Sequence, residues 1–120
     1  MDKAQALNSF WNSFNIPAYD ENTVPDDAQL PYITFSVSED DFDHPVSLTS
    51  SIWYRGKRWD EITNKFKEVS EVIGRGGIMV PYDEGALWVK RGTPFGQRAS
   101  DPDDSIRRIF INVEVEFIGG

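Results

Sequence analysis

A chain of 120 residues with a formal net charge of −8 has the size of one ordinary domain, and it buries a single core while leaving about a third of its unfolded surface exposed. The acidity argues against a protein that grips nucleic acid by its phosphates, because that grip depends on Lys and Arg displacing counterions. With no cysteine in the chain, disulfides, Cys-ligated zinc, iron–sulfur clusters and thiol catalysis are excluded.

Residues 2–14 read as a short helix, with Ala4, Leu7, Trp11 and Phe14 at spacings of three and four and Phe10 widening the stripe. Asp2 suits the positive end of the helix dipole, and Asn15 and Pro17 end the element. The opening segment has no basic-then-apolar leader pattern, and no stretch reaches the ~20 apolar residues of a membrane span, so a cytosolic setting is expected. Residues 15–31, with Pro17, Pro25 and Pro31, read as a long loop without structure of its own, of the kind that is usually functional or interfacial.

Residues 32–38 alternate, with Ile33, Phe35 and Val37 on one face, and residues 46–54 alternate again, with Val46, Leu48, Ile52 and Tyr54 opposite Ser47, Thr49, Ser51 and Trp53. The two strands form an antiparallel hairpin around the acidic turn 39–45. Residues 59–73 carry the clearest helical stripe, Ile62, Phe66, Val69 and Ile73, widened by Val72, with Asp60 and Glu61 in the first turn and Gly74 as a left-handed terminator. A second hairpin spans 78–82 and 86–91, with Pro81 confining its first arm to an edge or a strand end. Residues 92–105 are rich in Gly, Pro, Ser and Asp and read as a mobile loop. The final segment 106–118 alternates throughout, and at ~3.3 Å per residue it is longer than a small sheet requires, so it bends or projects. The expected fold is therefore α+β in the order α-β-β-α-β-β-β: one domain over 1–120, a mainly antiparallel sheet of about five strands, and two helices on one face.

The residues that chemistry needs are sparse. His44 is the single histidine and lies in a turn among acids, where a nucleophile and an orienting partner are not evident. The runs 40–43 and 101–104 lack the alternating ligands, central Gly and terminal Glu of a calcium loop. Gly74-Arg-Gly-Gly77 follows a helix, whereas phosphate loops precede one. No catalytic residue, cofactor site or metal site is expected. Charge and aromatics are more informative. Residues 19–43 hold eight acids and no base, while the bases gather in 55–58, 90–91 and 107–108. Separated charge of this kind suits head-to-tail self-association, with solvated loops as the competing reading. Four Trp, four Tyr and eight Phe exceed what one small core needs, and aromatics are enriched at protein interfaces. Trp53 and Trp59 among basic residues also suit base stacking, which the overall charge disfavours.

The order of elements, the strand entry Leu30-Pro31-Tyr32-Ile33-Thr34-Phe35 after a proline-rich loop, the 59–74 helix, the Asp83-Glu84-Gly85 hairpin and the long last strand together resemble the tail terminator (tail completion) family of long-tailed bacteriophages and prophages. The resemblance spans nearly the whole chain and rests on arrangement more than on a signature. It implies a structural virion protein, not an enzyme. Such a protein forms a hexameric ring on the head-proximal end of the tail, assembled in the bacterial host cytoplasm. The ring stops tube polymerisation and presents the head-docking surface. The implied partners are further copies of the chain, the major tail tube protein and the head-completion (connector) protein, with DNA passing through unbound and no membrane involved. Acids of the 20–43 set, Asp40, Asp41 and Asp43 foremost, would line the channel, where like charge keeps DNA from sticking. Trp53, Arg55, Lys57, Arg58, Phe95 and Arg98 would serve subunit or tube contacts. Two alternatives stay open: a head–tail joining protein of the same neck, and a small-molecule-binding or enzymatic α+β domain built on His44 and nearby carboxylates.

Overall fold

The computed structural model describes residues 2–83 and 85–119. The chain folds as α1 (Lys3–Trp11), a 3-10 turn (Asn12–Phe14), β1 (Ala18–Asp20), β2 (Tyr32–Phe35), β3 (Val46–Arg55), α2 (Asp60–Ile73), β4 (Ile78–Tyr82), β5 (Gly85–Ala99) and β6 (Ile106–Gly119). The strands make one six-stranded mixed sheet in the order β1-β2-β3-β6-β5-β4, in which β1 and β2 run parallel and every other neighbouring pair antiparallel.

Two expectations are corrected, and a third is narrowed. The segment 15–31 is not without structure: Ala18–Asp20 pairs with Ile33–Phe35 and adds a sixth strand. Three residues are too few to show an alternation, and the strand is held from outside itself. The Asn12 side chain bonds both backbone groups of Ala18, accepting from its N–H at 3.0 Å and donating to its carbonyl at 3.1 Å. The segment 92–105 is not a loop for most of its length. β5 continues to Ala99, and its register with β6 jumps between Arg91 and Gly96. The extra residues form a bulge held by Asn112 Nδ2, which donates to the Pro94 carbonyl at 2.8 Å. Finally, β6 does not project alone. It lies at the centre of the sheet, with β3 on one side over 106–115 and β5 on the other to its end.

The core lies on one side of the sheet. Ile33, Phe35, Leu48, Ile52, Leu87, Val89 and the odd positions Ile109–Val115 are buried together with Leu7, Phe10 and Trp11 of α1 and Ile62, Val69 and Ile73 of α2. α1 starts with a reciprocal capping box: the Asp2 carboxylate accepts from Gln5 N–H at 2.8 Å, and the Gln5 side chain accepts from Asp2 N–H at 2.9 Å. α2 ends at Gly74 with φ 68 and ψ 177, so the glycine takes the expected positive φ but leaves the helix in an extended direction. Lys65 joins the two helical segments. Its buried ammonium donates to the Phe14 carbonyl at 2.7 Å and to Glu68 at 3.0 Å. Behind the bulge, Phe95 packs on Phe66 with ring centroids 5.3 Å apart, and Arg91 donates to the carbonyl and hydroxyl of Ser70, both at 2.9 Å.

Candidate interaction surfaces

β3 runs between two ends of unlike charge, about 30 Å apart at ~3.3 Å per residue. At its start, the loop 36–45 carries Glu39, Asp40, Asp41 and Asp43 beside Asp83, and Glu39, Asp40, Asp41 and Asp83 line an open cleft of about 460 Å³ with Lys3 and Tyr82. The loop is ordered by an anchor that its acidic composition hides. Phe42 is fully buried at φ 58, its N–H bonded to the Asp40 carboxylate at 2.8 Å and its carbonyl accepting from Phe117 N–H at 2.7 Å. Lys3 donates to the Asp41 carbonyl at 3.0 Å, with its ammonium 5.6 Å and 5.7 Å from the Phe42 and Phe117 ring centroids. Asp40, Asp41 and Asp43 thus share one loop.

His44 sits in this loop with Nδ1 2.6 Å from an Asp43 oxygen and Nε2 3.9 Å from Asp40. The Asp43 hydrogen bond first, and the charge of Asp40 second, raise the imidazole pKa above its usual value. Asp40, Asp43 and His44 bring ligand-type atoms within 4.8 Å of one another, with His44 and Asp43 exposed to solvent. The three groups arrange themselves as a histidine bracketed by two carboxylates, and no further group among the described residues turns that arrangement into a nucleophile–base pair.

The other end is basic but mixed. Arg55, Lys57 and Arg58 share the turn from β3 to α2, facing the turn that precedes β6. Lys57 Nζ lies 3.6 Å from Asp104, Arg58 lies 2.6 Å from Asp60, and Arg55 reaches Ser105 at 3.5 Å. Arg107 donates to the Lys57 carbonyl from two nitrogens, at 3.1 Å and 2.8 Å. Arg98 and Arg107 both lie against Trp59, with guanidinium carbons 4.5 Å and 5.4 Å from its ring. The run 101–104 closes as a turn: Asp101 accepts from Asp103 N–H, and Asp103 from Ser105 N–H, each at 2.9 Å. The Ser105 hydroxyl and amide hold the Asp103 carboxyl below its usual pKa.

The third surface is the sheet face opposite the core. Its central rows are Tyr32–Trp53–Arg108–Ala99 and Thr34–Ser51–Phe110–Gln97, read across β2, β3, β6 and β5, with Tyr19 of β1 alongside Thr34. Both helices contribute to the opposite side, and among the described residues no helix lies over this one. The Arg108 guanidinium lies 4.5 Å from the Trp53 ring and 5.5 Å from the Phe110 ring, and its Nε donates to Ser51 at 2.9 Å. Trp53 Nε1 donates to Thr34 at 3.0 Å, and Tyr32 meets Tyr19 edge-on at 5.7 Å. Further along the face, Lys90 stacks on Trp88 at 4.1 Å and pairs with Glu116 at 3.5 Å, beside the exposed Met79 and Ile118.

The six residues expected at an interface therefore do not form one surface. Arg55, Lys57 and Arg58 are together at the end of β3, where Arg55 also falls on the Trp53 side of the strand. Arg98 is on the core side against Trp59, Phe95 is on the core side against Phe66, and Trp53 is on the open face. Arg108 lies against both the Trp53 and Phe110 rings, a cluster that periodicity alone does not reveal, although the alternation of 106–118 does turn Phe110 outward. Arg108 was hidden in an Arg-Arg pair whose two members point to opposite sides of the sheet. No protein-family model matches the chain, and no match is found among curated proteins.

Proposed function

We propose that this chain is a structural subunit of phage or prophage virion assembly, of the tail terminator type. Copies form a ring that caps the head-proximal end of the tail tube, stops its growth and offers the docking surface for the head. The observation that carries the reading is the uncovered face of the sheet. A six-stranded sheet with helices on one side only, and with Tyr19, Tyr32, Trp53, Arg108 and Phe110 gathered on the other, has the composition of a protein interface: aromatic rings and Arg, half-shielded by one another and open to a further layer. Unlike charge at the two ends of β3 supports contacts between dissimilar surfaces, which close into rings when the rotation allows.

In the ring, the acidic loop bearing Asp40, Asp41 and Asp43 faces the channel, and the basic turn bearing Arg55, Lys57 and Arg58 meets a neighbour or the tube. The partners are the major tail tube protein on one side and the head-completion protein on the other, and the finished particle carries the chain at the neck. Adding the purified chain to its polymerising tail tube protein tests this. The expected result is tubes of arrested length with the chain bound at one end. Tubes that grow unhindered with bare ends would overturn the reading, and chain bound to the head vertex instead would reassign it to head–tail joining.

A further inference from the structure

Building on the ring reading, we infer that the contact between copies is made by the open sheet face of one subunit against the outer stripe of α2 on the next. The two surfaces match in charge. Glu61, Asn64, Glu68 and Glu71 recur at i, i+3, i+7 and i+10 along one exposed side of α2, with the exposed Lys67 next to Asn64 and Glu71. Beside them Val72 is 44% exposed, one of the few large apolar side chains left in water. Among the described residues Glu61 and Glu71 make no ion pair, and Glu68 pairs with Lys65. The open sheet face has the opposite balance, with three bases, Arg55, Lys90 and Arg108, against two acids, Glu114 and Glu116, in a chain of net charge −8. Arg108 is held in place by Trp53, Phe110 and Ser51 and, among the described residues, pairs with no carboxylate. A preorganised guanidinium on an aromatic platform is suited to accept a carboxylate from outside.

Layering points the same way. A helix laid on the open face gives the sheet helices on both sides, the arrangement that covers a large sheet completely. The donor helix and the acceptor face are on opposite layers of one subunit, so the contact is heterologous: each copy gives α2 on one side and receives it on the other. A face-to-face dimer would instead set sheet against sheet and end at two copies. Single-stranded DNA stacked on the rings is disfavoured by Glu114 and Glu116 on the same face.

The absence of native cysteine makes the test direct. Gln97 is exposed on the open face beside Phe110, and Val72 is exposed on α2. The full chain carrying both Gln97→Cys and Val72→Cys is treated with a short bismaleimide, free and on tail tube ends. A ladder of covalent multimers from the double variant, with neither single variant giving more than background, is the expected result. Arg108→Glu should lower the ladder yield about tenfold, and adding Glu71→Arg should restore it. Dimers from Gln97→Cys alone would overturn the inference in favour of a two-fold contact. Protection of Gln97→Cys by single-stranded DNA without any ladder would overturn it in favour of a nucleic-acid face. Tube capping without a ladder would overturn this contact and leave the ring reading standing, whereas a ladder without tube capping would keep the contact and remove the tail assignment.

Discussion

Lys65 divides its charge between a backbone carbonyl and the Glu68 carboxylate. Its Nζ donates to the Phe14 carbonyl at the end of the first helical segment, 51 residues away in the chain, and the residue is only 9% exposed. Carbonyls at the end of a helical segment lack intrahelical donors and carry partial negative charge, so an ammonium there is favourable twice over. Lys65→Met keeps the aliphatic stem and removes the donor, and it should cost about 1–3 kcal/mol in urea unfolding. His44 gives a second residue-scale expectation. Its folded pKa is raised by Asp43 and Asp40, so its contribution to stability is full below the unfolded value of 6.5 and is lost as pH rises through the folded pKa. An NMR titration should place His44 above 6.5, and Asp43→Asn should move it back toward that value; an unchanged midpoint in the variant would count against the bracketing geometry.

Elements differ in how much of them the sequence discloses, and the differences have physical causes. Where a segment is long and one of its faces is buried, periodicity reports it. The stripe Ile62–Phe66–Val69–Ile73 and the alternation from Ile109 to Val115 both point to the core as read, whereas Val72, expected to widen the stripe, lies exposed. β1 escapes because it is three residues long and is held by Asn12 and by β2, information that lies outside the segment. The second half of β5 escapes because Gly92, Pro94 and Gly96 read as loop punctuation, whereas here they serve a bulge. Gly96 has no side chain because the Phe66 ring occupies the place of its Cβ. Gly96→Ala should therefore destabilise by about 1–3 kcal/mol, and Phe66→Leu in the same chain should return part of the loss. Phe42 illustrates the same limit for the acidic end: nothing in Asp-Asp-Phe-Asp marks the phenyl ring as buried, yet it anchors the loop. Phe42→Ala should cost about 3–5 kcal/mol and raise amide exchange across 36–45, while an exchange pattern unchanged from wild type would contradict that anchoring role.

At the scale of the whole molecule, the sequence disclosed the class of fold and the presence of unlike charge, but not the surface on which the functional reading now rests. That surface exists only once β3 and β6 are neighbours, because the pairing Trp53–Arg108 joins residues 55 positions apart. The acidic and basic ends also differ in character. The acidic end is ordered around Phe42 and nearly free of bases, and the basic end is partly neutralised by Asp60 and Asp104. Contacts between such ends are screened by salt, so association of copies should weaken as ionic strength rises. Copies of this chain are proposed to close into a ring at the end of a tail tube. A cryo-electron micrograph of capped tube ends tests it most directly: the account predicts a closed ring of this chain, with each open sheet face covered by a neighbour and the 39–43 loops turned to the channel. Tube ends that carry no ring of this chain would contradict it.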